Sequence, residues 1–156
     1  MHRRALFVFA LAGALCGHAA AQEFRPETII AIERAALDRW AKGEPQGYLE
    51  IDAPEITYFD PTTATRVDGI EATRALLTPL TGKIKLSRYE ILNPVVYRRG
   101  DLAVLSFNLV TYGERSGDAL PSTRWNTTEV YALLDGKWRI VHSHFSLTQP
   151  QAPPPK

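Results

Sequence analysis

The dipeptide Asp135-Gly136 constrains this chain more than any other short feature. It hinges two long alternating runs within STRWNTTEVYALLDGKWRIVHSHFS, Ser122 to Ser146. A two-residue type I′ turn needs positive φ at both central positions, which Asp and Gly adopt at low cost, so the stretch reads as a β-hairpin. Counting outward sets Leu133 opposite Trp138, Tyr131 opposite Ile140, Glu129 opposite His142, Thr127 opposite His144 and Trp125 opposite Ser146. Side chains alternate across a strand, so this register gathers all of these residues on one face of the ribbon. Aromatic rings, a carboxylate and two imidazoles on one face describe the wall of a ligand pocket. One bulge or a longer loop would move the pairing and part Glu129 from His142.

The N-terminal segment has the order of an export signal: Arg3 and Arg4, the apolar run Ala5 to Leu15, and Ala19-Ala20-Ala21 before Gln22. The apolar run is short of the roughly 20 residues that span a bilayer. The expectation is cleavage after residue 21, a periplasmic or secreted protein, and no membrane partner afterwards. Of the chain's 156 residues, 135 then remain, enough for one domain with a single core. The single Cys, Cys16, leaves with the signal, so neither a disulfide nor a thiol nucleophile is expected. The whole chain has 18 basic and 17 acidic residues, and loss of Arg3 and Arg4 makes the balance 16 against 17. Such a near-neutral chain gives no electrostatic case for nucleic acid. Gln149 to Lys156 holds four prolines and reads as a disordered tail, which leaves residues 22–148 as the domain.

Between these ends, Pro26 suits a first helical turn, and Ile29, Ile32, Ala36, Leu37 and Trp40 follow at helical spacing with Gly43 as the stop. Glu33, Arg34, Asp38 and Arg39 are read as the opposite, polar side. Pro45 to Ile51 suggests a short second helix with Tyr48 and Leu49 inward, and Glu55 to Asp60 a strand. Asp68 and Glu71 have the spacing of a capping box for a helix carrying Ile70, Ala75, Leu76 and Leu77. From Ile84 the chain turns to strands, with Asn93-Pro94 marking a bulge or an edge. Leu102 to Tyr112 has Ala103, Leu105, Phe107 and Leu109 on one apolar face, and Gly113 to Pro121 is a flexible connection. Helices first and long antiparallel strands after is an α+β pattern. Its curved sheet, wrapped around the N-terminal helices, leaves a cone with one open end.

The runs ILNPVVY (Ile91 to Tyr97), AVLSFNLVTY and TEVYALLDGKWRIVHSHFS, with YFDPTTATRVDGIEA (Tyr58 to Ala72), resemble the nuclear-transport-factor-2-like superfamily. The branches most like them are the SnoaL-like proteins and the association domain of calcium/calmodulin-dependent protein kinase II. The resemblance implies a cone-shaped α+β barrel whose sheet pairs with a neighbour's, with a pocket in the cone's mouth. It also implies one of three roles: small-molecule binder, cofactor-independent isomerase, cyclase or dehydratase, or oligomerisation module. The kinase hub's pocket is lined by arginines that attract carboxylates. Matched without gaps, this chain has Leu109, Glu129 and Phe145 there.

Glu129 and His142 are the candidate catalytic pair. A carboxylate beside an imidazole can move a proton near neutral pH, and the alternative is a structural ion pair across strands. Asp60 is the third catalytic candidate, at the place where isomerase relatives often carry a base; its alternative is a turn residue before Pro61. Trp40, Tyr58, Phe107, Trp125, Thr127, Tyr131 and His144 are the candidate ligand-binding residues, with plain core as the alternative for the aromatic ones. His144 with His142 and Glu129 would make a three-donor metal set, but no fourth ligand is marked, and no metal or organic cofactor is assigned. The expected partners are a small, largely apolar ligand and a second copy of the chain. Trp138, Tyr131 and Ile140 are the expected dimer contacts.

Overall fold

The computed structural model describes residues 24–115, 118–119 and 121–148. The expected signal and the proline-rich tail lie outside them. The elements run in order α1 (Pro26–Ala41), α2 (Gln46–Leu49), β1 (Asp52–Phe59), β2 (Val67–Asp68), α3 (Ile70–Leu77), a 3₁₀ turn (Thr78–Leu80), β3 (Leu86–Arg99), β4 (Leu102–Arg115), β5 (Asp118–Ala119), β6 (Thr123–Leu134) and β7 (Lys137–Leu147). One curved sheet has the order β2-β1-β7-β6-β4-β3, with β5 paired back on β4. The segment expected to be a flexible connection is thus partly taken up by the end of β4 and by β5. The α+β cone is as expected, with one exception to its antiparallel pattern: β1 runs parallel to β7.

The helix α1 lies in the concave face. Pro26 occupies its first turn, and Gly43, at φ +83°, closes it with its N–H donated to the Trp40 carbonyl at 2.9 Å. Its inner face sets Ile29, Ala36 and Leu37 against Ala103, Leu105, Phe107, Tyr131 and Ile140 of the sheet. Full burial of side chains such as Ile29 and Leu37 stabilises by roughly 1.5–3 kcal/mol each. The narrow end of the cone is shut by Phe24 and Trp138, edge to face at 5.6 Å, with the Arg98 guanidinium 4.7 Å from the Phe24 ring centre.

Several local expectations hold. Asp135 and Gly136 both have positive φ, and Leu134 pairs with Lys137 across a two-residue turn. Asn93-Pro94 forms a bulge on β3, an edge strand, where Leu92 faces Asn108 and Val95 faces Ser106. The capping box does not form. Gly69, at φ +84°, is the N-cap of α3 with no side-chain capping bond, and Asp68 instead pairs with Arg66 at 2.6 Å.

The long hairpin register is corrected. Leu133 faces Trp138 and Tyr131 faces Ile140 as counted, but Val141 is then bulged out. Beyond it Val130 faces His142, Glu129 faces Ser143, Thr128 faces His144, Thr127 faces Phe145 and Trp125 faces Leu147. The cause lies on the other edge of β7. β1 starts at Asp52, earlier than the sequence suggests, and runs through Pro54, which has no N–H for a ladder. Five steps of β1 from Asp52 to Thr57 are matched by two steps of β7 from Ile140 to His142. A strand held between two such neighbours takes up the mismatch by bulging.

A one-residue slip turns every later side chain to the other face. Glu129 keeps the inner face of β6 with Tyr131 and is wholly buried, while the bulge turns His142 and His144 of β7 outside, packed against the exposed Phe59 with ring centres 5.7 and 5.5 Å apart. The Glu129–His142 pair does not exist. Nor can Glu129, His142 and His144 converge on one ion. The expected dimer contacts are corrected too, because Tyr131 and Ile140 are 0% exposed in the core and Trp138 packs on Phe24. The outward face instead carries the rows Tyr97–Val104–Val130–His142 and Val95–Ser106–Thr128–His144–Phe59.

Candidate functional site

Inside the cone lies a cavity of about 720 Å³, lined at the C-terminal end of α1 by Trp40. Its wall is mostly apolar, from Leu37, Trp40, Ile56, Leu76, Leu77, Leu109, Trp125 and Phe145. Its polar lining includes Tyr48, Asp52, Thr73 and Ser143, with Tyr58 and Asp60 toward the mouth and the exposed Lys83, Lys85 and Glu114 at the rim. A pocket of this size with a handful of placed polar groups suits a small, largely apolar molecule.

Behind Ser143 sits a buried acidic cluster that the sequence reading missed. Glu33 of α1 and Glu129 of β6 are both 0% exposed. The Tyr48 hydroxyl donates to Glu33 Oε1 at 2.7 Å, and Ser143 Oγ donates to Glu129 Oε1 at 3.3 Å. The Tyr131 hydroxyl lies 2.7 Å from Glu129 Oε2 and 3.0 Å from Glu33 Oε2. It has one hydrogen to give, so its second carboxyl contact is satisfied when a carboxyl proton is present. Two carboxyls this close in a dry interior share a proton rather than both ionise. Accordingly burial first, then the Glu33 charge and hydrogen bond, push the Glu129 carboxyl well above its ordinary range. Burial and the neighbouring Glu33 likewise push the Tyr48 phenol upward.

Asp52, at the start of β1, faces the cavity and is 7% exposed. Burial, with the Glu33 charge second, raises its carboxyl to about 7. At the mouth, Asp60 accepts from the Tyr58 hydroxyl at 2.6 Å and from the Thr62 N–H at 2.7 Å, and also from the Thr62 hydroxyl. Asp60 thus both lines the cavity and holds the turn after β1. Burial, followed by the hydrogen bond to Asp60, raises the Tyr58 phenol.

Of the candidate ligand-binding residues, Trp40, Tyr58 and Trp125 line the cavity, the last with its Nε1–H donated to Thr111 Oγ1 at 3.1 Å. Phe107, Thr127 and Tyr131 are on the inner face but belong to the packed layer behind it. Thr127 Oγ1 is buried with no hydrogen-bond partner among the described residues. His144 is on the outer face and is no pocket residue. His142 shares a 2.8 Å hydrogen bond with Thr57 Oγ1, and burial, then His144 and Arg66, lower its pKa.

The missed residues left a signal in one case. Glu33 is four residues after Ile29 and four before Leu37, on the apolar stripe of α1 rather than its polar side. A carboxylate on such a stripe marks a buried polar site. Asp52 and Ser143 had no local mark, because both are placed by the β1–β7 pairing.

This fold, a curved sheet closed over an N-terminal helix, is shared with solved structures described as nuclear-transport-factor-2-like. Within that class, the calcium/calmodulin-dependent protein kinase II association domain matches residues 25–150, and the chain belongs to that family. Among solved structures, a "putative ketosteroid isomerase" from Parabacteroides distasonis is 30% identical, with a TM-score of 0.69 over 85% of this chain and 94% of that one. The kinase II hub homology domain of Chlamydomonas reinhardtii is 25% identical, with a TM-score of 0.67 over 80% of this chain and 98% of that one. The type II alpha chain of the same kinase from Drosophila melanogaster is 29% identical over 134 residues, 83% of this chain and 25% of the kinase. The chain spans about a quarter of the length of the curated kinases it matches.

Proposed function

We propose that this chain is an exported, self-associating protein whose cone holds a small, largely apolar molecule. The observation that carries the reading is the cavity of about 720 Å³, apolar along most of its wall. Export rests on the order of residues 1–21, and N-terminal sequencing of exported protein is expected to begin at or near Gln22. An intact Met1 would overturn that part. Self-association is supported by the hub and association-domain relatives and by the apolar residues left on the outer sheet face.

Pocket binding is tested with Nile red, a neutral apolar dye, and a substitution that fills the mouth. Saturable binding is expected for the unaltered chain, and Leu76→Trp is expected to weaken it at least tenfold, about 1.4 kcal/mol. Binding that is not saturable, or is indifferent to Leu76→Trp, contradicts the reading.

A second reading is favoured by Asp52. A carboxyl raised to about 7 in an apolar pocket is poised to take and return a proton near neutral pH. The chain would then be a cofactor-independent isomerase, cyclase or dehydratase, with Asp52 in the role first given to Glu129 and His142. The Parabacteroides relative described as an isomerase supports this direction.

A further inference from the structure

The depth of the cavity is acidic. Asp52 is more than nine-tenths buried and faces the cavity, and among the described residues no donor reaches its carboxyl. Glu33 and Glu129 lie behind it, both wholly buried. The basic residues of the lining, Lys83 and Lys85, are exposed at the rim, where water screens them. A buried carboxylate is costly unless it is paired. The two carboxyls buried behind it and Asp60 at the mouth have their donors: Glu33 has Tyr48, Glu129 has Tyr131 and Ser143, and Asp60 has Tyr58 and Thr62, while Glu114 of the lining is exposed to water. Of the buried carboxyls, Asp52 is the one left to find its donor in whatever fills the cavity.

We propose that the pocket selects apolar ligands that carry a cationic amine, with the ammonium seated against Asp52. The inference rests on the pocket-binding reading above and names its ligand class. An ammonium supplies N–H donors and the opposite charge together, which makes the strong, charge-assisted kind of hydrogen bond. A carboxylate ligand would meet Asp52 and the Glu33–Glu129 pair as like charges. A neutral alcohol would gain the apolar wall and one hydrogen bond only.

Binding of the amine is also coupled to a proton. The carboxyl of Asp52 is raised to about 7 by its burial and by Glu33, and an adjacent ammonium favours its ionised form. The neutral acid therefore gives up its proton to solvent as the ammonium arrives, and the complex is carboxylate with ammonium. Below the carboxyl's pKa this costs roughly tenfold in affinity per pH unit. An uncharged ligand pays nothing comparable.

The test uses the full chain with three probes of one shape, adamantylamine, adamantanol and adamantane carboxylate, read by calorimetry. At pH 8 the amine is expected to bind at least tenfold tighter than the alcohol, and the carboxylate more weakly than either. Between pH 8 and pH 6 the amine is expected to lose about tenfold while the alcohol holds. Asp52→Asn is expected to remove the amine's advantage over the alcohol. If that variant does not fold, the probe ranking and its pH dependence in the unaltered chain still decide. An amine no tighter than the alcohol, or a carboxylate that binds tightest, overturns the amine assignment while the pocket reading stands. Failure of all three probes to bind overturns both.

Discussion

At pH 8 the Glu129→Gln variant is expected to melt above the unaltered protein, by roughly 5 °C, and to lose less stability between pH 5 and pH 8. The sign follows from proton counting. The Glu129 carboxyl is raised in the folded state by burial and by Glu33, whereas in the unfolded chain it ionises near its ordinary value of 4.5. The folded state therefore binds more protons across the interval between these values. Stability is fully present below the unfolded value and is lost as pH rises through the folded one, by about 1.4 kcal/mol per unit. A glutamine amide keeps the shape of the protonated acid and can donate to Glu33 without a titrating proton. Asp52 adds a slope of the same sign, from its ordinary 3.8 to about 7, and the variant keeps that share. Thermal melts of both proteins across this range check the expectation. A lower melting temperature for the variant at pH 8 contradicts it. That is the outcome a Glu129–His142 ion pair would have given, since loss of one partner of a buried pair costs about 3–5 kcal/mol.

The second large effect belongs to the outer sheet face. Val104 sits mid-row between Tyr97 and Val130, beside the exposed Val95 and Tyr97. If copies pack sheet against sheet, they bury on the order of 1,200 Å² or more, and Val104 lies within the apolar part. Val104→Arg then places an unpaired charge there, twice over in a symmetric interface. At about 3–5 kcal/mol for an uncompensated buried charge, the dissociation constant should rise by 10² or more. Light scattering is expected to move from oligomer to monomer with the melting profile of the subunit little changed. An unaltered mass for Val104→Arg places the interface elsewhere.

Much of the fold was legible because it is fixed by local chemistry. Asp135-Gly136 specified its turn, Pro26 and Gly43 bracketed α1, and Asn93-Pro94 marked a bulge. Each of these depends on which φ values or N–H groups a residue has. The α+β cone followed from the order of helices and strands, together with the quoted runs. The site was harder to read because it depends on one residue of register in β7. That register is set on one side by the turn and on the other by β1, whose Pro54 breaks its ladder. No pattern within the hairpin reports what its far edge will pair with. Glu129 was found as a buried inner-face residue, but its partners are Tyr131, Ser143 and Glu33, not an imidazole. Glu33 was legible and misread: its charge suggested the polar side of α1, although its spacing from Ile29 and Leu37 puts it on the inner face.

At the floor of the cavity, burial holds the Glu129 and Asp52 carboxyls above the ordinary carboxylate range. Carbon NMR titration of the aspartate and glutamate side-chain carboxyls tests this most directly, with Glu129→Gln and Asp52→Asn to assign the signals. The expected result is a Glu129 carboxyl that retains its proton well above the ordinary carboxylate range, with Asp52 titrating at about 7. Glu129 and Asp52 both ionising near pH 4, as exposed carboxyls do, would contradict it.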